Sequence, residues 1–182
     1  MADAHDALPT VTPAEYVEAI AQHVSSVCVI TTEVGGERFG LTATAVSSVS
    51  AEPPRLLVCI NRTGTTHDRI LEAGVFCVNV LSEHQDLVAM VFAGMGGARE
   101  DRFATGEWSV LKTGSPALEG AAAVFDCRLG ERMDQSTHSV LFGDVVGARH
   151  QKGQDTLLYG VRRFRQMRKV FAGLASDADD YL

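Results

Sequence analysis

Apolar and polar positions alternate with helical spacing at the start of the chain and mostly with the spacing of β-strands after it. This change indicates an N-terminal helix followed by a segment that is mainly β. Residues 12–15 (TPAE) combine a threonine N-cap, a proline at the first helical position and a glutamate that completes a capping box. Apolar residues follow at helical spacing, at Val17, Ile20, Ala21 and Val24. The pattern predicts a first helix that ends near residue 24, preceded by a flexible leader over residues 1–11.

From residue 27 onward the pattern is typical of β-strands, with two further helices near the middle of the chain. Gly74 ends the first of these, over residues 65–73, and a Ser82–Gln85 capping box opens the second, which runs to about residue 93. Strands are predicted at 27–32, 38–50, 55–61, 75–81, 121–132, 138–150 and 156–164.

The order of these elements indicates the fold class. A parallel sheet would need alternating strand–helix units throughout, and the second half of the chain has none. We therefore expect one mainly β domain with helical additions, a β-barrel over residues 12–168, followed by an acidic tail over residues 169–182.

Composition and net charge argue against a membrane or a nucleic acid as the binding partner. The 182 residues fit one domain, and no apolar run approaches the roughly 20 residues of a membrane span. The N-terminus lacks the basic and apolar stretches of a signal peptide, so we expect a soluble, cytoplasmic protein with no membrane partner. A net charge of −7 disfavours nucleic acid as a partner, because phosphate contacts need a cationic surface.

The cysteines do not indicate a metal site or a disulfide framework. They are widely spaced, each lies within an apolar β-like stretch, and no CxxC pair or zinc-type Cys/His spacing occurs. We expect four reduced, buried thiols and no bound metal, at Cys28, Cys59, Cys77 and Cys127.

The stretch 40–50 (GLTATAVSSVS) is the most unusual strand, because it has strand-like polarity but small side chains throughout. Small residues with hydroxyls let a flat, polar-edged ring lie close to the main chain. The same composition also suits a tightly packed barrel corner, and the residues alone leave both interpretations open.

Two further features suggest a ligand, each with a structural alternative. Residues 61–66 (NRTGTT) place an arginine and threonine hydroxyls at a helix N-terminus, which suits a phosphate group. Ordinary helix capping by Thr65 or Thr66 explains the threonines equally well. His138 stands early in a long strand, where a lone histidine is either a packed residue or a ligand contact.

Taken together, these segments resemble the short-chain flavin reductases, which are the reductase components of two-component flavin-dependent monooxygenases. The resemblance covers about residues 14–166 and is carried by four segments in a specific order. These are residues 40–54, 76–81 (FCVNVL), 114–120 (GSPALEG) and 138–145 followed by 157–159.

The resemblance implies a Greek-key split β-barrel of the FMN-binding type and a homodimer with flavin at the subunit interface. It implies that the flavin ring lies against Thr42, Ala43, Thr44 and Ala45, with Phe92 also in the flavin site. It places the phosphate end at Ser48, Ser50, Arg62, Thr65 and Thr66, and it matches His138 to the family histidine near the nicotinamide. Here Ser136 and Thr137 replace the family's Gly-Asp before that histidine.

The activity that the resemblance implies is reduction of FMN or FAD by NADH or NADPH, with the reduced flavin passed to a separate oxygenase. This chemistry needs no catalytic constellation of the protein, because the cofactors supply the reactivity. Two alternatives stay open: a flavoprotein that reduces a metal, such as a ferric chelate or a cobalt corrinoid, and a flavin-binding module without turnover.

Overall fold

A computed structural model describes residues 9–95 and 99–167 of the chain. Within these residues there are three α-helices, α1 (Pro13–Ile20), α2 (Thr65–Ala73) and α3 (Asp86–Phe92), and a 3-10 helix (Arg99–Ala104). The strands are β1 (Ser25–Ser26), β2 (Cys28–Val34), β3 (Glu37–Ala43), β4 (Val46–Ala51), β5 (Pro54–Asn61), β6 (Val75–Val80), β7 (Trp108–Val110), β8 (Pro116–Leu118), β9 (Ala123–Gln135), β10 (His138–His150), β11 (Leu158–Gly160) and β12 (Arg163–Arg165).

Seven of these strands form one antiparallel sheet in the order β3-β2-β6-β9-β10-β5-β4. Its two edge strands, β3 and β4, are consecutive in the chain and joined only by Thr44 and Ala45. The sheet must therefore curve until its edges meet at this point. No ladder pairs β3 with β4 in the part of the chain that the structure describes, so the sheet is not closed.

The curved sheet carries a hydrophobic cluster on each face, which is why β2 is buried over five consecutive residues. Val29 packs into the cluster beneath α3, which also holds Phe92 and Leu118. Its neighbour Ile30 points to the opposite face, into the cluster that α2 covers through Ile70. Successive strand residues face opposite sides of a sheet, so a strand covered on both sides reads as a continuous apolar run.

Two buried polar residues attach the segment between β7 and β9 to the sheet. The side-chain oxygen of Asn79 accepts a hydrogen bond from the Leu118 amide at 2.7 Å. Asp126 accepts from the Lys112 and Thr113 amides at 2.7 and 2.8 Å. Since both side chains are fully buried, these bonds satisfy groups that would otherwise be costly to enclose.

The mainly β domain with few helices is confirmed, and α2 has the expected bounds and ends at Gly74, whose φ is 66°. The long antiparallel pair is also present as β9 and β10. The first helix is shorter than expected and ends at Ile20. At the start of α3, Gln85 accepts from the Ser82 amide at 3.0 Å, but no side chain caps the helix itself.

Two strands that the sequence pattern presents as continuous are each broken in two. The stretch 38–50 divides at Thr44 and Ala45, where the chain passes from one sheet edge to the other. The stretch 156–164 divides at Val161 and Arg162, which have positive φ angles of 52° and 58° and turn the chain from β11 into β12. The spacing of apolar residues does not change at either break. The position of each break depends on where the folded chain has to turn, and the local sequence pattern does not record this.

The termini are only partly described. Residues 1–8 of the expected leader and residues 169–182 of the expected acidic tail lie outside the described residues. No described helix is long and apolar enough to cross a bilayer.

Candidate functional site

A cleft of about 460 Å³ opens where β3 ends and β4 begins. Four other parts of the fold meet the β3–β4 link there: the end of β5, the turn before α2, the end of α3 and the start of β10. The residues that line the cleft are Leu41, Thr42, Ala43, Thr44, Ala45, Cys59, Ile60, Asn61, Thr63, Gly64, Phe92, Ala93 and His138.

The β3–β4 link forms one wall of the cleft from backbone and small side chains. Thr42 faces α3, where its hydroxyl donates to the Ala89 carbonyl at 2.7 Å. Ala43 is buried, whereas Thr44 and Ala45 are exposed. The Thr44 hydroxyl has no hydrogen-bond partner among the described residues. This wall therefore offers close access to the main chain and a free hydroxyl.

Phe92 supports the cleft from behind rather than as a mobile lid. It is 2 % exposed, and its ring packs against Phe103 and Trp108 with centroid distances of 5.0 and 5.4 Å. The guanidinium of Arg102 reaches the Gly40 carbonyl at 3.5 Å, and its buried Nε has no partner within the described residues. Arg102 was not singled out from the sequence, because nothing local indicates that it folds back onto β3.

A hydrogen-bonded turn shapes the opposite rim. The Asn61 side-chain carbonyl accepts from the Thr63 amide and hydroxyl at 3.0 and 2.9 Å. The Asn61 backbone carbonyl also accepts from the Gly64 amide at 3.3 Å. His138 pairs with Asn61 across β10 and β5, and its Nδ1 lies 2.9 Å from the Thr137 hydroxyl. His138 is exposed, so its Nε2 edge is accessible at this rim.

Arg62 lies beside this turn but does not line the cleft itself. Its amide donates to the Thr137 carbonyl at 3.0 Å, which joins the turn to the β9–β10 hairpin. Its guanidinium, 47 % exposed, donates to the Ser136 carbonyl at 3.4 Å and lies 3.8 Å from an Asp134 oxygen. The guanidinium thus lies near the rim with one face exposed and the Asp134 carboxylate beside it.

The remaining candidate residues lie elsewhere. Gly64 is the N-cap of α2 with no side-chain hydrogen bond, so Thr65 and Thr66 do not cap the helix. Thr65 is exposed, and Thr66 is only 6 % exposed, within the first turn. Ser48 and Ser50 line a second, mostly apolar cavity of about 340 Å³ further along β4.

A single chain therefore places residues 42–45, which were expected to contact the flavin ring, in one cleft with Phe92 and His138. It keeps Ser48 and Ser50 apart from this cleft. Asn61 and Thr63 belong to the segment 61–66 that the sequence suggested for a phosphate group, and here they line the cleft. Sequence reasoning missed Cys59, which was expected only as a buried thiol.

Three of the four thiols are buried in surroundings that disfavour the thiolate. Burial raises the pKa of Cys28 to about 12, and it also raises that of Cys77 and Cys127. Cys59 is half-buried at the cleft. No thiol of the described residues is disulfide-bonded, and the described His, Cys, Asp and Glu side chains form no metal-binding group.

The fold and the cleft together define a small, mainly β domain with a ligand cleft at the point where its two edge strands meet. Residues 20–168 match the family model described as the flavin reductase like domain. Because the match covers most of the chain, the protein belongs to this family, as the sequence resemblance indicated.

Curated relatives and solved structures agree with this assignment. The chain is 42 % identical over 151 residues to the FMN reductase (NADH) RutF of Agrobacterium fabrum, covering 83 % of this chain and 86 % of that one. It matches BorF, the flavin reductase component of a bacterial two-component tryptophan halogenase, at 30 % identity and a TM-score of 0.79, covering 86 % of this chain and 98 % of that one.

A third match carries ligands. It is an NADH:FAD oxidoreductase of Streptomyces globisporus in complex with NAD and FAD fragments. The identity is 26 % and the TM-score 0.80, with 90 % of this chain and 99 % of that chain covered.

Proposed function

We propose that this protein is an NADH-dependent flavin reductase that reduces FMN or FAD and supplies the reduced flavin to a separate oxygenase. The observation that carries the proposal is the cleft at the β3–β4 link. Backbone and small side chains line one side of this cleft, and His138 stands at its opposite rim. The 42 % identity to an FMN reductase (NADH) supports NADH and flavin as the reactants. The match to a halogenase reductase component supports a separate flavin-using partner.

The residues present fit a flavin ring. A flat ring needs a wall without bulky side chains, and Thr44 and Ala45 supply one with an unpaired hydroxyl at its edge. In the proposed assignment, Thr42, Ala43, Thr44 and Ala45 bind the ring, Phe92 supports it, and Arg62 and Thr65 bind the phosphate end. A flavin bound there would supply a ring that can accept hydride, and the protein would have to hold the nicotinamide stacked on it at about 3–3.5 Å.

The protein's own task is then to orient two rings and to keep one ring face open. His138 stands at the rim opposite the small-residue wall, so we assign it the positioning of the nicotinamide. No residue is needed as a general base, because hydride transfer moves no proton from a protein side chain.

The test of this function is direct. Purified protein mixed with FMN and NADH should oxidise NADH and bleach the yellow flavin under anaerobic conditions, and a chelator should change neither rate. Flavin that binds but is never bleached by NADH would contradict the proposal in favour of a binding module. NADH oxidation that requires an added ferric chelate or corrinoid would contradict it in favour of a metal reductase.

We further propose that the catalytic unit is a homodimer of split-barrel domains, each covering residues 12–168, acting in the cytoplasm where NADH is available. The apolar cavity lined by Val46, Leu56 and Phe125 is continuous with exposed Val110 through Pro54 and Val145. A second copy over this face would bury it and bring a further wall to the flavin. It would also place Ser48 and Ser50, which this chain keeps apart from the cleft, within an intersubunit site.

Sedimentation should give a dimer at micromolar concentration, and Val110→Asp should shift it towards monomer with weaker flavin binding, because a buried unpaired charge is costly. A wild-type monomer that binds flavin tightly would contradict the dimer. Met133→Asp, at an exposed methionine outside both cavities, is the matched control and should leave the dimer intact.

A further inference from the structure

His67, at the start of α2, is a buried histidine with a hydrogen-bond partner on each ring nitrogen. It is 4 % exposed. Its Nδ1 lies 2.9 Å from an Asp68 oxygen, and its Nε2 lies 2.9 Å from the Ser139 hydroxyl. Ser139 is fully buried on β10, and its hydroxyl donates to an Asp134 oxygen at 2.7 Å. The contacts join α2 to the β9–β10 hairpin in one line.

The line continues to Arg62. The second oxygen of Asp134 lies 2.9 Å from an Arg132 nitrogen and 3.8 Å from an Arg62 nitrogen. The Ser139 hydroxyl, followed by Arg132 and Arg62, holds the pKa of Asp134 below its ordinary value. Asp134 therefore stays a carboxylate whose position depends on Ser139 from one side and whose charge acts on the arginines from the other.

Counting hydrogens shows how Ser139 connects the two carboxylates. The serine hydroxyl has one hydrogen, which it gives to Asp134, so its oxygen is left to accept from Nε2 of His67. Asp68 can only accept, so the Nδ1 contact also needs a ring hydrogen. All three bonds coexist only when both ring nitrogens of His67 donate. With one ring hydrogen fewer, one of the bonds is lost: a hydrogen on Nε2 alone costs the Asp68 bond, whereas a hydrogen on Nδ1 alone leaves the serine hydrogen to serve either His67 or Asp134.

We propose that His67 and Ser139 are positioning residues that hold Asp134, and through it Arg62, where the guanidinium meets the flavin phosphate. The inference rests on the proposed function for the identity of the ligand, but not for the coupling itself. The contacts run from Asp68 through His67 to Ser139, as in a catalytic triad. Ser139 is nevertheless not a nucleophile, because its hydroxyl is fully buried and already donates to a carboxylate. The network acts by orienting a cation, and it never touches the reacting atoms.

Ser139→Ala removes the hydroxyl that joins His67 to Asp134. Asp134→Asn removes the charge of a side chain that is 31 % exposed, and it keeps an oxygen that can accept from Ser139. Each is expected to increase the mobility of the Arg62 side chain, measured by 15N NMR relaxation at its Nε in the free protein. Each should also raise the Kd for FMN roughly 10-fold, the factor that follows from loosening one charged contact. The kcat at saturating FMN and the KM for NADH should stay within about twofold.

Thr32→Val is the matched control. It removes an equally buried hydroxyl, which donates to the Val75 carbonyl at 2.8 Å. This hydroxyl makes no hydrogen bond to the network that links His67 to Arg62. It should lower Tm as Ser139→Ala does, yet leave the Arg62 signal and the Kd for FMN unchanged. If Ser139→Ala and Asp134→Asn also leave both unchanged, the network is structural only and the inference is wrong.

The two proposals fail in different ways. Wild-type protein that does not oxidise NADH, with Arg62 loosened only in Ser139→Ala and Asp134→Asn, would remove the proposed function and keep the coupling. Wild-type protein that reduces FMN, with Arg62 indifferent to both variants, would remove the coupling and keep the function.

Discussion

Replacing His138 by alanine is expected to raise the KM for NADH, or to lower the rate of hydride transfer, by roughly 10- to 100-fold. This is the size of one lost positioning contact between rings that must stack closely. Flavin affinity should change little, because the ring wall is formed by the β3–β4 link on the other side of the cleft. Steady-state kinetics with varied NADH and a flavin titration measure the two effects separately.

Arg62→Ala is the reciprocal variant and should weaken flavin binding while leaving near-normal turnover at saturating flavin. The Arg62 side chain is 47 % exposed and its ion pair with Asp134 is long, so the stability of the fold should change little. If His138→Ala instead lowers Tm and reduces flavin with unchanged constants, His138 is a packed strand residue and its positioning role is wrong.

Replacing Gly40 by alanine is expected to lower the free energy of unfolding by about 2 kcal/mol, a typical cost of overpacking. A methyl group at this position would lie 2.6 and 2.8 Å from the Phe92 ring and 3.3 Å from the Ile30 carbonyl. The ring has little room to retreat, because Phe103 and Trp108 pack against it. Since Phe92 also lines the cleft, the displaced ring should weaken flavin binding as well.

Urea unfolding gives the stability change, and flavin titration gives the effect on the cleft. Gly130→Ala is the matched control in another strand, where the nearest atom to a new methyl group is 3.4 Å away and contact is ordinary. Equal midpoints for the two variants would show that the Phe92 cluster adapts, and the proposed rigidity of the cleft wall would be wrong.

Secondary structure was accessible from the sequence where local signals were strong. The segment 65–73 begins at a glycine-threonine turn and ends at a glycine with positive φ, and α2 has those bounds. The strands at the centre of the sheet read as apolar runs because they are covered on both faces. The family resemblance rested on motifs that are equally local, and the family assignment is confirmed.

The contents of the cleft were only partly accessible. The small-residue stretch was predicted as a ring wall and it lines the cleft, but its break at Thr44 and Ala45 was not predicted, because small residues show no periodic change when the chain crosses between edges. Asn61 and Thr63, which belong to the predicted ligand segment 61–66, enter the cleft through a local turn. Arg102 reaches Gly40 across 62 residues of sequence, and no local pattern indicates such a contact.

By itself, the sequence determined the mainly β class, the placement of α2 and α3 and the family, since these depend on side-chain periodicity and on short motifs. Only the tertiary structure decided that β3 and β4 are the two edges of one curved sheet. It also decided that His67, distant in sequence from Asp134 and Ser139, contacts Ser139, whose hydroxyl donates to Asp134. Strand order depends on which apolar surfaces must be covered, and buried polar contacts depend on which donors must be satisfied. Neither can be read from the residues that are adjacent in sequence.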